Sequence, residues 1–197
     1  MKLSFSYRAK REAAVLVALV LTVILSMWGD YRQQVRQAVC NDTLRLHILA
    51  NSDTLQDQLV KLQVRDALLP EIAACVNGAT DKQQAIEAIR KGMPGLQTVA
   101  QQAAGREQSV RIGLERQEFA ARDYGTFALP DGTYTALRVE LGAAAGRNWF
   151  CVLYPSLCVG DGTARYESKA ENAVVFGEYE LRFALVDAWD WVKTRLS

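Results

Sequence analysis

The sequence predicts an α+β domain: a small, mainly antiparallel sheet with helices packed on one face, preceded by an apolar N-terminal signal or anchor helix. Two patterns carry this. Three segments alternate between an apolar face and a largely charged one, as half-buried strands do. Between and after them lie segments whose apolar residues recur at helical spacing behind residues that can cap a helix. With 197 residues and half of them apolar, the chain can bury a core of its own. The formal net charge is +1, with acids and bases interspersed, so neither a nucleic-acid footprint nor a disordered acidic tail is present.

Residues 1–29 read as a signal peptide or membrane anchor. Arg8, Lys10 and Arg11 precede an apolar run from Ala13 to Trp28. The run has no polar face, unlike a core helix at a protein surface. Trp28 and Asp30 follow it in place of a clear small-x-small cleavage site, which favours an uncleaved anchor. The cationic flank stays in the cytoplasm and places Asp30–Ser197 outside it. Residues 30–43 are polar and read as a helical or loose tether. Residues 44–197 form the extracytoplasmic domain.

Leu44 to Ala50 is the first strand, with Leu44, Leu46, Ile48 and Ala50 on one face and Arg45, His47 and Leu49 on the other. A helix follows, with Asp53 as its cap and Gln56 as the capping-box partner. Leu55, Leu59, Leu62, Leu69, Ala73 and Val76 form its stripe. Asp66 falls within that stripe, which predicts a buried structural carboxylate in need of a partner such as Arg45, Arg138 or a backbone amide. Thr80 with Gln83 opens the next helix, which carries Ile86 and Ile89. Gly92, Pro94 and Gly95 predict a break or kink before Leu96, Val99 and Ala103 resume the pattern and Gly105 ends it.

Ser109–Glu115 is the second alternating strand. Pro130, Asp131 and Gly132 mark a turn, and Tyr134–Leu141 is the third strand, with Leu137, Val139 and Leu141 opposite Arg138 and Glu140. The charged face formed by Arg45, His47, Arg111, Glu115, Arg138 and Glu140 is either solvated or covered by the segment Asn148–Cys158. Gly142 to Gly162 reads as a short strand or helix with a packed loop. An amphipathic helix from about Glu178 to Leu196 closes the chain, its acidic start and basic end suited to the helix dipole.

Of the four cysteines, Cys40 is a poor lipoprotein cysteine, because it lies well past the apolar run and follows Val39. Cys151 and Cys158 have no metal or redox spacing. They read as buried structural thiols, with a disulfide between them as the alternative that an exported domain allows. The single histidine, His47, could form a thiol site with Cys151 or Cys158 and Asn148, but an apolar setting leaves a thiol inert. One histidine and scattered acids do not make a zinc site. Gly142 and Gly146 flank no phosphate loop. No catalytic residue, metal, cofactor or small-molecule substrate is therefore assigned. Trp149, Phe150 and Tyr154 suit either an interface or the core, and the core reading is favoured.

Two blocks resemble the stage II sporulation protein R family of endospore-forming bacteria. The first holds Leu44, Arg45, His47, Ala50, Asn51, Ser52, Asp53, Asp57, Gln58, Lys61, Val64, Arg65 and Asp66. The second holds Gly132, Tyr134, Ala136, Leu137, Arg138, Gly142, Gly146, Asn148, Trp149, Cys151, Pro155, Leu157 and Cys158. The similarity runs in order from Leu44 to Gly162. Phe150 stands where the family usually has a second tryptophan, Ser156 where it has a second proline, and Ala120 where a proline commonly follows the phenylalanine. The resemblance implies a signal made in the forespore and exported into the space between forespore and mother-cell membranes. There it would activate a membrane-embedded aspartic protease that processes pro-sigma E. The expected contact surface is the face around Arg45, His47, Asn51, Arg138, Asn148 and Trp149. The competing expectation is an extracytoplasmic hydrolase, acting on cell wall or through a Cys–His pair.

Overall fold

A computed structural model of the chain describes residues 7–157 and 164–177. The expected C-terminal helix from Glu178 to Leu196, and Cys158 with its pairing, lie outside the described residues.

Helix α1 runs unbroken from Tyr7 to Asp42. It is the one described helix long and apolar enough to cross a membrane, and its apolar side chains, such as Leu16 and Leu25, are exposed. Residues 30–42 are thus the last third of this helix, and its final turns are docked: Val35, Val39 and Cys40 are buried. Thr43 alone separates α1 from strand β1 (Leu44–Leu49).

Helices α2 (Leu55–Val76) and α3 (Lys82–Ala104) follow, then β2 (Val110–Phe119), a ribbon of two-residue strands β3 (Arg122–Asp123) and β4 (Ala128–Leu129), β5 (Gly132–Leu141), β6 (Asn148–Tyr154) and α4 (Lys169–Phe176). The main sheet has the order β2-β5-β1-β6. Strand β5 is antiparallel to β2 and parallel to β1, while β6 is antiparallel to β1. The parallel pair is possible because α2 and α3 supply the long crossover that parallel neighbours need.

The strand parity predicted from sequence places Leu44, Leu46, Ile48, Leu137, Val139, Leu141 and Val110 on one face, where they meet Val64, Leu68, Ile72, Ile86, Ile89 and Leu96 of α2 and α3. Pro94 does not break α3. Gly92 in the same turn lets α3 approach α2 closely, since a β-carbon there would lie 2.8 Å from Cys75 Sγ. Burial of Ile89, Leu96 and Ala100 on both sides of Pro94 outweighs the one hydrogen bond a proline removes.

Several local expectations are corrected. Thr54, not Asp53, caps α2, its side chain accepting from the Asp57 amide. Asp81, not Thr80, caps α3, accepting from the Gln84 amide at 2.8 Å. The buried face of α2 is Lys61, Val64, Leu68, Ile72 and Val76, while Leu55 and Leu59 are exposed. That rotation turns Asp66 out to solvent, where it pairs with its neighbour Arg65 at 2.6 Å. Asp66 is therefore neither buried nor the partner of Arg45 or Arg138.

The second sheet face is neither fully solvated nor covered by the segment Asn148–Cys158. That segment supplies β6 instead and extends the sheet beyond β1. Because β1 is then central, all six of its residues are buried. The end of α1, the β3–β4 ribbon and α4 lie over this face, joined by Val39, Phe127, Leu129, Val152, Tyr166 and Val175.

Candidate functional site

The two sequence blocks meet along the end of β1. The Asn51 carboxamide oxygen accepts from the Ala143 amide at 2.9 Å, and its nitrogen donates to Asp57 Oδ2 at 2.9 Å. Ser52 Oγ donates to the same carboxylate oxygen. These donors, Ser52 first and Asn51 next, hold the half-buried Asp57 carboxyl below its usual pKa. Backbone amides of Ala145 and Gly146 donate to the carbonyls of Asn51 and Ala50, at 3.1 and 2.9 Å. Asp53 Oδ1 accepts from the Arg147 amide at 2.7 Å, so this residue clamps the loop rather than capping the helix. Lys61 Nζ, buried on α2, donates to the Arg147 carbonyl at 3.0 Å and to Gln58 Oε1 at 2.6 Å. Burial is the main cause that lowers its pKa.

Two glycines make this clamp possible. Gly142 has φ +56°, in the left-handed region. A β-carbon on it would also fall 2.2 Å from Asn51 Oδ1, and one on Gly146 would fall 2.1 Å from the Ser52 carbonyl oxygen.

On the second sheet face lies a row of cationic side chains. Arg45 is completely buried. Its guanidinium carbon stands 4.0 Å from the Phe119 ring centre, 4.9 Å from Tyr134 and 5.9 Å from Phe150, and Nη2 donates to the Tyr124 hydroxyl at 2.8 Å. Nε and Nη1 have no partner. Each orphan donor costs about 1–3 kcal/mol, against roughly 2 kcal/mol for a desolvated cation–π contact.

His47, two residues along β1, is stacked on Phe150 with ring centres 4.6 Å apart. Its Nδ1 meets Gln117 Oε1 at 2.9 Å. Burial lowers its pKa first of all, and Arg138 and Arg45 push the same way. The Gln117 hydrogen bond and the nearby Asn148 side chain oppose them. Nε2 makes no hydrogen bond of satisfactory geometry, even with Asn148 close. Arg138, beside His47 in register, bridges Glu115 and Glu140, each at 2.8 Å. Glu140 also takes Arg111 at 2.7 Å. This ladder, the hydrogen bond donated to Glu115 foremost, raises the Arg138 pKa. On the other side, the hydrogen bond from Arg111 is the largest cause lowering that of Glu140.

The expected contact set therefore divides. Asn148 is exposed, and Asn51, Arg138 and Trp149 are half-buried. Arg45 and His47 are buried and out of direct reach in this state. Trp149 faces the α2 side with the Arg65 guanidinium 5.4 Å from its ring. Cys151 is buried beside Leu46 in register, on the face opposite His47, so the two do not meet as a Cys–His pair. Among the described residues no group of three or more His, Cys, Asp or Glu could hold a metal ion.

Lys61, Phe119 and Tyr124 had no role in the sequence reading. Lys61 was concealed by an apolar stripe drawn one helix face away. Phe119 and Tyr124 come from a segment whose short strands leave no periodic signal. At the junction of α1 with α4, a cavity of about 140 Å³ is bordered by Asp42, Lys82, Tyr154, Tyr166 and Glu171 among others. Burial, then the charge of Asp42, pushes the Glu171 carboxyl up to about 7.

No solved structure matches the chain. A relative from Bacillus subtilis (strain 168), described as stage II sporulation protein R, is 37% identical over 124 residues, which are 61% of this chain and 55% of the relative. The chain thus matches little more than half the length of that relative. The model of the family described as Stage II sporulation protein R matches residues 40–164, an interval that takes in β1, the clamp and the cationic face. The chain belongs to the stage II sporulation protein R family.

Proposed function

We propose that this chain is a non-enzymatic, exported or membrane-anchored sporulation signal. It acts from the intermembrane space between forespore and mother cell. There it binds a membrane-embedded aspartic protease of the mother cell and favours the active assembly that processes pro-sigma E. A ligand can do this only by binding the active assembly better than the inactive one. The observation that carries the reading is family membership over the whole clamp and cationic face, joined to a helix long and apolar enough for a bilayer. The contact surface would centre on the rim that remains accessible, Asn51, Arg138, Asn148 and Trp149, with Arg45 and His47 behind it.

The test is co-expression of the full chain with the protease and pro-sigma E in a non-sporulating host. Processed sigma factor should appear only when all three are present. Absence of processing, with the chain folded and located outside the cytoplasm, would sink the proposal. Replacing Cys151 or Cys158 with Ser separates it from a thiol hydrolase: an activator keeps its function wherever the fold survives.

A further inference from the structure

Among the described residues, four buried side-chain nitrogens lack a hydrogen-bond partner: Nε and Nη1 of Arg45, Nε2 of His47 and Nε of Arg138. All belong to one strip of the sheet, with Arg45 and His47 on the same face of β1 and His47 beside Arg138 of β5. Folded proteins rarely leave such atoms unpaired. Three of them are guanidinium donors with no acceptor, and Nε2 of the adjacent His47 becomes a fourth when the ring is protonated, which marks a place where acceptor oxygens are missing.

We propose that this strip receives a carboxylate from an acidic peptide segment of the protein partner. The proposal rests on the partner-binding reading above and names the chemistry of the partner. From β1, β2 and β5 the face carries the guanidinium groups of Arg45, Arg111 and Arg138 against the carboxylates of Glu115 and Glu140. Arg122, 4.7 Å from the Phe150 ring, adds positive charge at its edge. The excess favours an anion, and planar guanidinium groups suit carboxylates in particular. His47 fits the same ligand. With Nδ1–H donated to Gln117, Nε2 gains a proton only in the imidazolium, the form that an adjacent carboxylate stabilises.

Entry is from the Arg138 end, where the side chain is 28% exposed. Deeper in, the half-buried Tyr124 lies over Arg45, on a ribbon whose strands are two residues each. The phenol supplies the single hydrogen bond that the Arg45 guanidinium makes among the described residues. An incoming carboxylate would replace that neutral acceptor with a charged one, which bonds a guanidinium about twice as strongly. Movement of this short ribbon would open the Tyr124 side of the site, with the end of α1 and α4 left in place.

The test uses the purified full chain in detergent micelles at constant ionic strength. Acetyl-triglutamate amide is the probe and acetyl-triglutamine amide the control. At ten times its Kd the glutamate peptide should raise the melting temperature by about 3–5 °C, and the glutamine peptide should not. Arg45→Met should abolish the rise. Tyr124→Phe, which removes only the competing hydroxyl, should strengthen it and carries the test if Arg45→Met does not fold. Equal shifts with both peptides, no shift at all, or a response that either variant leaves unchanged overturns the proposal. The co-expression assay separates the two claims. A wild-type chain that drives no processing refutes activation, whereas the peptide response is read without the protease.

Discussion

Gly146 lies so near Ser52 that the missing β-carbon would stand 2.1 Å from the Ser52 carbonyl oxygen, with Ala50 Cβ at 3.0 Å. The obstacle is backbone, held in place by the Gly146 amide on the Ala50 carbonyl, so it cannot turn away as a side chain would. Gly146→Ala should lower stability by about 1–3 kcal/mol, the range for forced overpacking. It should also displace the loop before β6 and reduce activation. Urea denaturation and the co-expression assay read the two effects. A variant as stable as the parent would show that the loop is not clamped here.

Lys61 offers a second measurement on the same clamp. Its ammonium is buried between the Arg147 carbonyl and Gln58. Lys61→Met keeps the stem but leaves the carbonyl without its donor, and should cost about 1–3 kcal/mol. Lys61→Arg should not restore the loss, because a planar fork does not fill the place of a compact ammonium. Equilibrium unfolding of both variants checks this.

Asp66 and Asn51 predict opposite outcomes for two polar residues of the same sequence block. The Asp66–Arg65 pair is on the surface, with the Asp66 side chain 63% exposed, so Asp66→Asn should change stability by less than about 0.5 kcal/mol. Asn51→Ala removes bonds to both Ala143 and Asp57 and should cost about 1–3 kcal/mol. Thermal melts of the pair decide it, and a large loss at Asp66 would contradict its exposure.

The Glu171 carboxyl, raised from 4.5 to about 7 by burial and by Asp42, gives a pH dependence with a definite sign. Between those values the folded chain keeps a proton that the unfolded chain releases. Stability therefore falls as pH climbs from about 4.5 to about 7 and gains no further slope from this group above that. Glu171→Gln should flatten this part of the profile and raise stability at pH 8. Melting curves from pH 4.5 to 8 test it, and an unaltered slope would mean that another group titrates.

The strand faces were legible because a period of two survives in Leu44–Ala50 and Tyr134–Leu141 whatever packs above them. The position of β1 was not. Centrality depends on β5 and β6 coming from far along the chain to flank it, and this is what buries Arg45 and His47. The stripe of α2 misled for a related reason. Leu55 and Leu59 have the spacing of core residues, yet the hydrogen bonds of Lys61 and Gln58 to the loop fix the rotation of the helix and leave those leucines outside. The clamp residues were visible only as the residues carrying a family resemblance. Nothing in Asn51, Asp53 or Gly146 announces a bond to a segment some 90 residues away.

Thr43, the single residue between α1 and β1, is wholly buried and bonded through its hydroxyl to Tyr166 at 2.6 Å. Such a joint has no slack. From Trp28 to Asp42 the helix rises about 20 Å at its usual pitch. A chain that keeps its apolar stretch in a bilayer would hold the sheet at that standoff and at one fixed tilt, and would search for its target in two dimensions. Cut near Trp28, the same domain would carry a stiff stump and search a volume. Membrane retention would thus set both the height at which a target must present itself and the dimensionality of the encounter.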